Sequence, residues 1–511
     1  MEFPRRYNAV RDFIDRHVDA GLEGKPAFID ARLSLTYGEL ARATRRMGNL
    51  LAGLDVPPEA RVALIMHDTV DWPVAFWGAL RAGVVPVAIN TLLGTAQYEY
   101  MLADSRAQAL IVSDALLPVV EPCLGNLPHL RHVVVSGERA AKHPSFADLL
   151  AGASAEFETA DTCADEVAFW LYSSGSTGNP KGTRHVHSSP MVTADTYGRQ
   201  VLGIRQDDIV LSAAKLFFAY GLGNSMTFPM SVGATAILLA ERPTPAAIFA
   251  LFRQHQPTIF FGVPTLYAAI LADPACTPEA GSGKLRLCVS AGEALPAEVG
   301  RSFQRRFGVD VLDGVGSTEM LHIYLSNHPD DVRYGTCGKP VPGYGIRLLD
   351  ESGREVAPEE IGEMVVEGRS AAEGYWHQRL KSRSTFEGRW TRTGDKYMRD
   401  AQGYYRICGR TDDMFKVSGI WVSPFEVEAA LVSHPAVLEA AVVAKPDPDG
   451  LLKPKAFVVL KPGQASESLV SDLKEHVKTA VGQWKYPRWI EFLDVLPKTA
   501  TGKIQRFKLR D

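Results

Sequence analysis

Residues 172–182 read YSSGSTGNPKG, and they directly follow the apolar run VAFWL at 167–171. The apolar run predicts a buried strand, and the glycines and hydroxyls after it predict a loop at the end of that strand. Glycines let the backbone approach an anion closely, and successive N–H groups form a concave nest for phosphate oxygens. Lys181 adds a positive charge. The stretch predicts a phosphate-binding loop, and the alternative is a solvated Gly/Ser loop.

This loop is a poor match to a Walker-type P-loop. In that motif Ser or Thr follows the lysine, whereas Gly182 follows Lys181 here. If the loop binds a nucleotide phosphate, it therefore does so by another arrangement of donors.

Outward from the loop, apolar runs alternate with helical patterns over the first two thirds of the chain. Helical spacing of apolar residues predicts helices over 39–54 and 71–83. The predicted strands are the apolar runs at 62–66, 84–89, 109–112, 132–135 and 235–239. Strands that alternate with helices imply crossover connections and largely parallel sheets covered on both faces. We therefore predict an α/β fold with two crossover sheets.

The pattern changes after residue 330. Glycines and prolines crowd residues 334–345, and a short alternating run at 363–367 predicts an antiparallel, β-barrel-like section. A polar, turn-rich stretch at 409–413 marks the main predicted boundary. Beyond it, helices predicted over 424–433 and 468–481 and strands over 438–443 and 456–460 suffice for a small α+β domain.

These observations predict the following domains. The large N-terminal domain covers 1–410, with subdomains 1–170, 171–330 and 331–410, and the small C-terminal domain covers 411–511.

The composition excludes several classes of protein. The 511 residues carry 55 Lys plus Arg and 59 Asp plus Glu, a formal net charge of −4, which lacks the electrostatic footprint of a dedicated nucleic-acid or membrane-surface binder. The six cysteines are scattered without a CxxC pair, which argues against a disulfide framework or zinc ribbon and fits a reducing compartment. Neither an apolar run of about 18 residues nor a secretory signal is present, so we expect a cytoplasmic protein.

Six motifs occur in an order that is typical of one superfamily. They are the loop at 173–182, SAGE at 290–293, GVGSTE at 314–319, WTRTGD at 390–395, GRTDD at 409–413 with KVSG at 416–419, and PKTATGKI at 497–504. With these motifs the whole chain resembles the adenylate-forming superfamily of acyl-CoA synthetases, peptide-synthetase adenylation domains and firefly luciferase. The resemblance implies that ATP and Mg²⁺ are used, and that the C-terminal domain is a mobile catalytic lid.

The resemblance also implies a role for each motif residue. Glu319, beside Thr318, matches the magnesium ligand; Asp313 stands where members recognise the adenine amino group, and Asp395 and Arg410 face the ribose. The cradle for ATP then comprises Ser173, Ser174, Gly175, Ser176, Thr177, Gly178, Lys181, Ala291, Gly292, Glu293, Asp313, Gly314, Gly316, Ser317, Asp395 and Arg410. For Glu319 the simpler alternative is an exposed loop glutamate. For Asp395, Arg410 and Asp313 it is a turn cap or a surface salt bridge.

Two faces of the C-terminal domain are expected to serve two half-reactions. Lys503 matches the family lysine that reaches the nucleotide and stabilises charge on the phosphoryl oxygens during adenylation. Asp412 matches the hinge residue for a rotation of the domain. After that rotation, the face that would line the path of the CoA pantetheine arm comprises Lys416, Ser418, Gly419 and Trp421.

The acyl pocket is expected between the motifs. Phe217 and Phe218 stand where amino-acid-activating members usually carry an aspartate, which disfavours an amino-acid substrate. The aromatic, glycine-rich stretch 215–224 and the residues after Glu319 are most similar to benzoate-CoA and hydroxybenzoate-CoA ligases. The resemblance places the ring among Phe218, Ala219, Tyr220, Gly221, His322 and Ile323. An aromatic core stripe and a structural histidine are the simpler alternatives.

The sequence thus predicts an AMP-forming aryl-CoA ligase, an acid–thiol ligase with an aromatic carboxylate, ATP and CoA as substrates. The alternatives are an enzyme for another aryl or short acyl acid, one that loads the phosphopantetheine of a carrier protein, and a non-catalytic adenylate sensor. No nucleic-acid or membrane partner is expected, and the choice between monomer and homodimer stays open.

Overall fold

The computed structural model describes residues 2–138, 142–173, 179–411, 413–417, 420–448, 450–464, 467–498 and 504–510, without the side chains of residues 420, 421 and 507. The chain divides into two compact units. The first comprises Met1–Gly345 and Glu367–Thr391, and the second Ile346–Val366 and Arg392–Asp511. Strands and α-helices are numbered below in chain order.

Most strands of the first unit lie in two large sheets. Their bounds are β1 Pro26–Ile29, β2 Ser34–Thr36, β3 Arg61–Ile65, β4 Val85–Ala88, β5 Ala109–Ser113, β6 His132–Ser136, β7 Val167–Ser173, β8 Lys181–Val186, β9 Ile209–Ser212, β10 Thr235–Ile237, β11 Ile259–Gly262, β12 Leu287–Ser290, β13 Val311–Gly316, β14 Ile323–Ser326 and β15 Lys339–Pro340. Later strands are β16 Gly345–Leu349, β17 Ile361–Glu367, β18 Gly374–Tyr375, β19 Phe386–Glu387, β20 Trp390–Arg399, β21 Tyr405–Arg410, β22 Phe415–Val417, β23 Ile420–Val422, β24 Val437–Pro446, β25 Leu452–Leu460 and β26 Trp489–Phe492.

The seven-stranded sheet has the order β18-β8-β7-β4-β3-β5-β6. The strands from β7 to β6 along this order pair in parallel, whereas β8 and β18 are added antiparallel at one edge. The nine-stranded sheet has the order β15-β14-β13-β12-β11-β9-β10-β1-β2, and its central strands from β13 to β1 are parallel. Parallel neighbours require crossover connections, which the intervening helices supply.

The α-helices have these bounds: α1 Arg16–Asp19, α2 Tyr37–Gly53, α3 Asp71–Arg81, α4 Thr95–Ser105, α5 Leu117–Val120, α6 Phe146–Gly152, α7 Ser189–Thr193, α8 Ala219–Leu222, α9 Phe228–Met230, α10 Pro245–His255, α11 Pro264–Ala272, α12 Ala297–Phe307, α13 Arg379–Thr385, α14 Pro424–Val432 and α15 Leu469–Val481. Single π turns occupy Arg11–Asp15, Ala194–Arg199 and Gly223–Thr227, and 3₁₀ turns occupy Glu121–Asn126, Pro278–Ala280 and Arg506–Leu509.

Local chemistry explains where these helices begin. The side chain of Thr36 accepts a hydrogen bond from the Glu39 N–H, and the Glu39 carboxylate accepts one from the Thr36 N–H, so a capping box starts α2. Ser423 caps α14 in the same way, through a hydrogen bond from the Glu426 N–H.

Antiparallel strands within 345–410 form a five-stranded sheet, in the order β16-β17-β20-β19 with β21 paired to β20. In the second unit, β24 and β25 pair antiparallel and β26 adds in parallel. Helices α14 and α15 contribute Val427, Leu431 and Leu473 to a core with this small sheet. The C-terminal part is therefore an α+β structure.

The predicted fold class is confirmed: the chain is mixed α/β, with a large N-terminal and a small C-terminal domain. The predicted strand at 109–112 corresponds to β5, Ala109–Ser113, and the predicted helix at 71–83 to α3, Asp71–Arg81. The predicted strand at 235–239 is shorter, at Thr235–Ile237. Within the described residues, the helices are too short or too polar to cross a membrane.

Candidate active site

The predicted phosphate loop connects two antiparallel strands of the first unit. Strand β7 ends at Ser173, β8 begins at Lys181, and the two residues pair directly in the register. The hydroxyl of Ser173 is buried without a hydrogen-bond partner in the described part of the chain. The side chain of Lys181 lies against Tyr375, with its Nζ 4.5 Å from the ring centre. The strand pairing therefore holds the two ends of the loop next to each other, with Lys181 against an aromatic ring.

Tyr375 links this loop to Glu319. Its hydroxyl donates a hydrogen bond of 2.8 Å to Oε1 of Glu319, and its side chain is buried. The Ala372 N–H donates to the Glu319 carbonyl, at 2.8 Å. The structure thus brings the predicted metal ligand to the hydroxyl, and the predicted phosphate-binding lysine to the ring, of one tyrosine.

The turn that carries Glu319 is fixed from two sides. The Thr318 carbonyl accepts a hydrogen bond of 2.9 Å from Nε2 of His185, which therefore carries the proton. Burial lowers the pKa of His185 to about 4, so this imidazole is neutral near pH 7. The Met320 N–H donates to Oγ of Ser317, and Leu321 adopts a left-handed φ of 67°. A non-glycine residue pays strain in that conformation, which is common at functional sites.

Asp313 lies on β13, beside β12, where it pairs with Ser290. Its Oδ2 accepts a hydrogen bond of 3.3 Å from the Leu295 N–H. Its Oδ1 is buried and has no partner among the described residues. Burial raises the pKa of this carboxyl to about 8. A buried acceptor of this kind fits a ligand with an N–H donor, such as an amino group.

The glycines after Asp313 are required by close packing. A Cβ on Gly316 would lie 2.5 Å from the His322 carbonyl oxygen, and one on Gly314 would lie 2.9 Å from Cδ1 of Ile323. Just after the neighbouring strand β12 ends at Ser290, Ala291 is buried and Gly292 adopts a left-handed φ of 94°, before Glu293. The carboxyl ends of β12 and β13 are adjacent, which is where ligands bind in open α/β sheets.

The donor set fits a magnesium ion shared with a nucleotide. Mg²⁺ prefers oxygen ligands and typically binds one or two carboxylates together with substrate phosphates and water. Oε2 of Glu319 makes no hydrogen bond or ion pair to any described residue. The described residues contain no group of three or more His, Cys, Asp or Glu side chains suited to a closed metal site. A site with one carboxylate, completed by substrate, is therefore the arrangement that fits.

Of the predicted acyl-pocket residues, Tyr220 contacts His322. Its Nε2 lies 3.2 Å from the Tyr220 carbonyl oxygen and 3.2 Å from Oδ1 of Asn224. The carbonyl can only accept, so Nε2 carries the proton and Nδ1 carries the lone pair. Nδ1 is buried with no partner in the described part of the chain. Burial lowers the pKa of His322 to about 3, so the ring is neutral near pH 7.

Aromatic rings surround this histidine. The ring centre of Phe228 lies 4.4 Å away, and that of Tyr220 lies 5.7 Å away. The Tyr220 hydroxyl lies 3.2 Å from the carbonyl oxygens of both Gly262 and Val289. The Tyr220 side chain therefore contacts β11 and β12 of the nine-stranded sheet through its hydroxyl.

The remaining pocket candidates pack closely. A Cβ on Gly221 would lie 2.0 Å from the Lys215 carbonyl oxygen, so only glycine fits there. Phe218 directly precedes α8, Ala219 is its first residue, and Ile323 is buried against Gly314.

The second unit brings together another predicted pair. Asp395 on β20 and Arg410 on β21 are direct partners in the register, and Nη1 of Arg410 donates to Oδ1 of Asp395 at 2.9 Å. Lys416 on β22 forms an exposed ion pair of 3.6 Å with Glu351 and stands opposite Trp421 in the register.

Several predicted residues lie outside the described part of the chain. They are Ser174, Gly175, Ser176, Thr177, Gly178, Asp412, Ser418, Gly419 and Lys503, together with the side chain of Trp421.

Sequence reasoning missed three residues of this region: Tyr375, His185 and Asn224. His185 could have been found, because it follows Lys181 and Thr183 on one face of β8 at a period of two. Tyr375 lies nearly 200 residues after Lys181, and only the pairing of β18 with β8 brings it into place.

Comparison with known proteins identifies the family of this chain. A family model described as "AMP-binding enzyme" matches residues 15–376, and one described as "AMP-binding enzyme C-terminal domain" matches residues 426–503. The chain belongs to the AMP-binding enzyme family, and the resemblance to the adenylate-forming superfamily is confirmed.

The relatives narrow the class further. The chain is 58% identical to a benzoate–CoA ligase of Thauera aromatica, over all of this chain and 97% of that protein. It is 56% identical to a 4-hydroxybenzoate–CoA/benzoate–CoA ligase of Rhodopseudomonas palustris, over 99% of this chain and 94% of that protein. Among solved structures, an anthranilate CoA ligase in complex with anthranoyl-AMP superposes with a TM-score of 0.95 at 43% identity, covering all of this chain and 98% of that chain.

Proposed function

We propose that this protein is an AMP-forming aryl-CoA ligase that activates benzoate or a hydroxybenzoate. The observation that carries the proposal is one arrangement in the first unit. Glu319 and Lys181 meet on Tyr375, and His322 follows Glu319 by three residues into a cluster of aromatic rings. Side chains suited to binding phosphate and metal, Lys181 and Glu319, thus lie close to the neutral aromatic cluster around His322. The identity to two benzoate-CoA ligases over nearly the full chain supports the same reaction.

The reaction has two steps, because a carboxylate is a poor electrophile. A carboxylate oxygen first attacks the α-phosphorus of ATP, the bond to the bridging oxygen breaks, and pyrophosphate leaves. The CoA sulfur then attacks the acyl carbon, and AMP leaves as the thioester forms. Both steps build negative charge on oxygens that fixed donors and cations stabilise.

Each proposed binding residue then has a task. Lys181 and the loop at 173–178 hold phosphate oxygens, and Asp313 accepts from the adenine amino group through Oδ1, which has no partner within the described ranges. Glu319 and Thr318 would hold Mg²⁺, which when bound neutralises phosphate charge and orients the phosphates.

The second unit supplies the other proposed groups. Asp395 accepts a hydrogen bond from Arg410 through Oδ1, and a carboxylate is the kind of group that suits two ribose hydroxyls. Lys503 would place its ammonium beside the reacting phosphate, where loss of one such donor costs about 3–4 kcal/mol. After rotation at Asp412, the face with Lys416, Ser418, Gly419 and Trp421 would line the path of the pantetheine arm.

The proposed acyl site favours a planar, uncharged ring. Phe228 and Tyr220 pack against the neutral His322, and an aromatic environment of this kind suits an aromatic substrate. Because Nδ1 of His322 is an acceptor without a partner among the described residues, a hydroxyl on the substrate is compatible with this site.

A substrate panel tests the proposal. The full chain is supplied with ATP, Mg²⁺ and CoA, and release of AMP is measured with benzoate, 3- and 4-hydroxybenzoate, 2-aminobenzoate, phenylalanine and octanoate. We expect turnover with benzoate or a hydroxybenzoate and little with phenylalanine or octanoate. Preference for octanoate or phenylalanine contradicts the aryl pocket. Replacing CoA by a phosphopantetheinylated carrier protein tests the carrier-loading alternative, which requires thioester formation on the carrier and not on CoA.

We also propose that the protein acts in the cytoplasm, as its cysteine usage suggests, and as a monomer or homodimer.

A further inference from the structure

A groove on the first unit is lined by three arginines that the proposed reaction does not use. We define this arginine groove by Arg184 on β8, Arg379 and Arg383 on α13, and Tyr375 and Ser382 between them. Its volume is about 510 Å³. Arg379 and Arg383 are exposed, and Arg184 is half-buried.

The frame of the groove is held by hydrogen bonds. Arg184 pairs with Gly374 in the register of β8 and β18, and the Glu373 N–H donates to the Arg184 carbonyl at 2.9 Å. The hydroxyl of Ser382 accepts from the Tyr375 N–H at 2.9 Å and donates to the Gln378 carbonyl at 2.9 Å, which ties α13 to β18. The arginines are therefore carried by fixed elements on both sides.

The charge of the groove is not neutralised by the described protein. None of the ion pairs or side-chain hydrogen bonds among the described residues involves Arg184, Arg379 or Arg383, although nearby Arg389 pairs with Glu367. Nε of Arg184 is moreover buried and has no acceptor in the part of the chain that the structure describes. A buried N–H without an acceptor is costly, and a bound anion would satisfy it. Arginine forks are suited to phosphate in particular, because two N–H groups can bind two of its oxygens.

The position of the groove links it to the phosphate end of the active site. Tyr375 lines the groove, donates its hydroxyl to Glu319 and carries Lys181 on its ring. Arg184 lies on the face of β8 opposite Lys181, and its partner across the strand pairing, Gly374, directly precedes Tyr375. We propose that the arginine groove binds a phosphate group of a substrate or product of this enzyme. This inference rests on the proposed function, which supplies two sources: the pyrophosphate released in the first step and the 3′-phosphate of CoA.

The test uses the full chain and the double variant R379Q/R383Q, because both side chains are exposed and their loss should not disturb folding. The matched control is R301Q/R305Q, which removes the same charge from exposed positions on α12. Three quantities are measured: the affinity for inorganic pyrophosphate by calorimetry without other ligands, the KM for pyrophosphate in ATP–pyrophosphate exchange, and the KM values for CoA and for dephospho-CoA, which lacks the 3′-phosphate.

If the groove holds pyrophosphate, R379Q/R383Q weakens both pyrophosphate measurements by about tenfold or more, the loss expected for charge-assisted hydrogen bonds, and leaves the two CoA values unchanged. If the groove holds the 3′-phosphate of CoA, R379Q/R383Q raises the KM for CoA about tenfold, towards the KM for dephospho-CoA. The KM for dephospho-CoA itself is the same in the variant and the wild type. Either result supports a phosphate site.

Unchanged values in all three measurements overturn the proposal, as does an equal change in R301Q/R305Q. The calorimetric experiment needs no catalysis, so pyrophosphate binding that R379Q/R383Q weakens still supports the groove if the wild-type chain proves to have no ligase activity. In that event the proposed function fails and the phosphate site stands.

Discussion

Replacing Tyr375 by phenylalanine removes one hydroxyl from the point where the predicted metal ligand and the phosphate loop meet. The hydroxyl donates a 2.8 Å hydrogen bond to Oε1 of Glu319, and the tyrosine is only 4% exposed. The ring, which Lys181 contacts, is kept in Y375F. The substitution therefore tests the orientation of Glu319 separately from the packing around Lys181.

The expected magnitude follows from the chemistry of this contact. A hydrogen bond to a charged acceptor typically contributes about 1.5–3 kcal/mol, which corresponds to roughly ten- to hundredfold in an equilibrium or rate constant. Residues that orient metal ligands have similar effects, about 10- to 100-fold on metal affinity or activity. We therefore expect Y375F to bind Mg²⁺ in the ATP complex about tenfold or more weakly, with a smaller change in the KM for benzoate.

The assay is benzoate-dependent ATP–pyrophosphate exchange, measured over a wide range of Mg²⁺ concentrations. Y375F should show a midpoint shifted to higher Mg²⁺, and a high concentration of the ion should restore much of the rate. A structural defect would instead lower the rate at every Mg²⁺ concentration.

The matched control is Y7F. Tyr7 is also buried, at 7% exposure, and its hydroxyl donates to a carboxylate, that of Asp12, at 2.9 Å. We expect Y7F to keep the wild-type Mg²⁺ midpoint. An unshifted midpoint in Y375F, or an equal shift in Y7F, would refute the role of Tyr375 as a positioning residue for Glu319.

Three further predictions concern other parts of the account. Lys503→Ala should slow adenylation by roughly two to three orders of magnitude and spare most thioester formation from supplied benzoyl-AMP; equal loss of both rates would contradict separate faces for the two steps. Asp313→Asn should gain stability relative to wild type as pH rises. The pKa of Asp313 in the folded wild type is raised to about 8, so its carboxyl contributes most to the free energy of unfolding below pH 4. That contribution is lost towards pH 8, by at most about 1.4 kcal/mol per pH unit. Calorimetric melting of both proteins at pH 5 and pH 7.5 measures the change, and an equal stability difference at the two pH values would contradict the prediction. Gly316→Ala should lower the melting temperature and activity together, because its Cβ would lie 2.5 Å from the His322 carbonyl oxygen. The control, Gly308→Ala, has open space for its Cβ, but Gly308 has a left-handed φ of 71°, so this variant should lower only the melting temperature.

Much of the fold could be predicted because buried strands have an unmistakable composition. The runs that became β3, β5 and β6 are continuous stretches of apolar residues, as expected for strands covered on both faces. The sequence predicts that β10 extends to Leu239, two residues beyond its end at Ile237. Leu238 and Leu239 are buried like their predecessors, and only the hydrogen-bond ladder separates them from the strand.

The candidate site was predictable where a motif is local and not where it depends on distant pairing. Asp395 and Arg410 were both expected at the ribose, but the sequence does not show that they are direct partners across β20 and β21. The contact of Tyr375 with Glu319 arises because β18 pairs with the edge of β8. Strand β18 has only two residues, which is too short to be predicted from the sequence.

The sequence does not distinguish two roles for His322. A histidine in an aromatic cluster can be part of the hydrophobic core or can line a substrate pocket. The structure adds that its Nε2 is committed to a backbone carbonyl, while Nδ1 has no partner in the described part of the chain.

The most direct test of the central claim follows the oxygen atoms of the substrate. The enzyme is supplied with ATP, Mg²⁺, CoA and benzoate carrying ¹⁸O at both carboxylate positions, and the products are analysed by mass spectrometry. Attack of the carboxylate on the α-phosphorus predicts one ¹⁸O in AMP and one in benzoyl-CoA, with unlabelled pyrophosphate. Formation of ADP, or AMP without the label, would contradict the account.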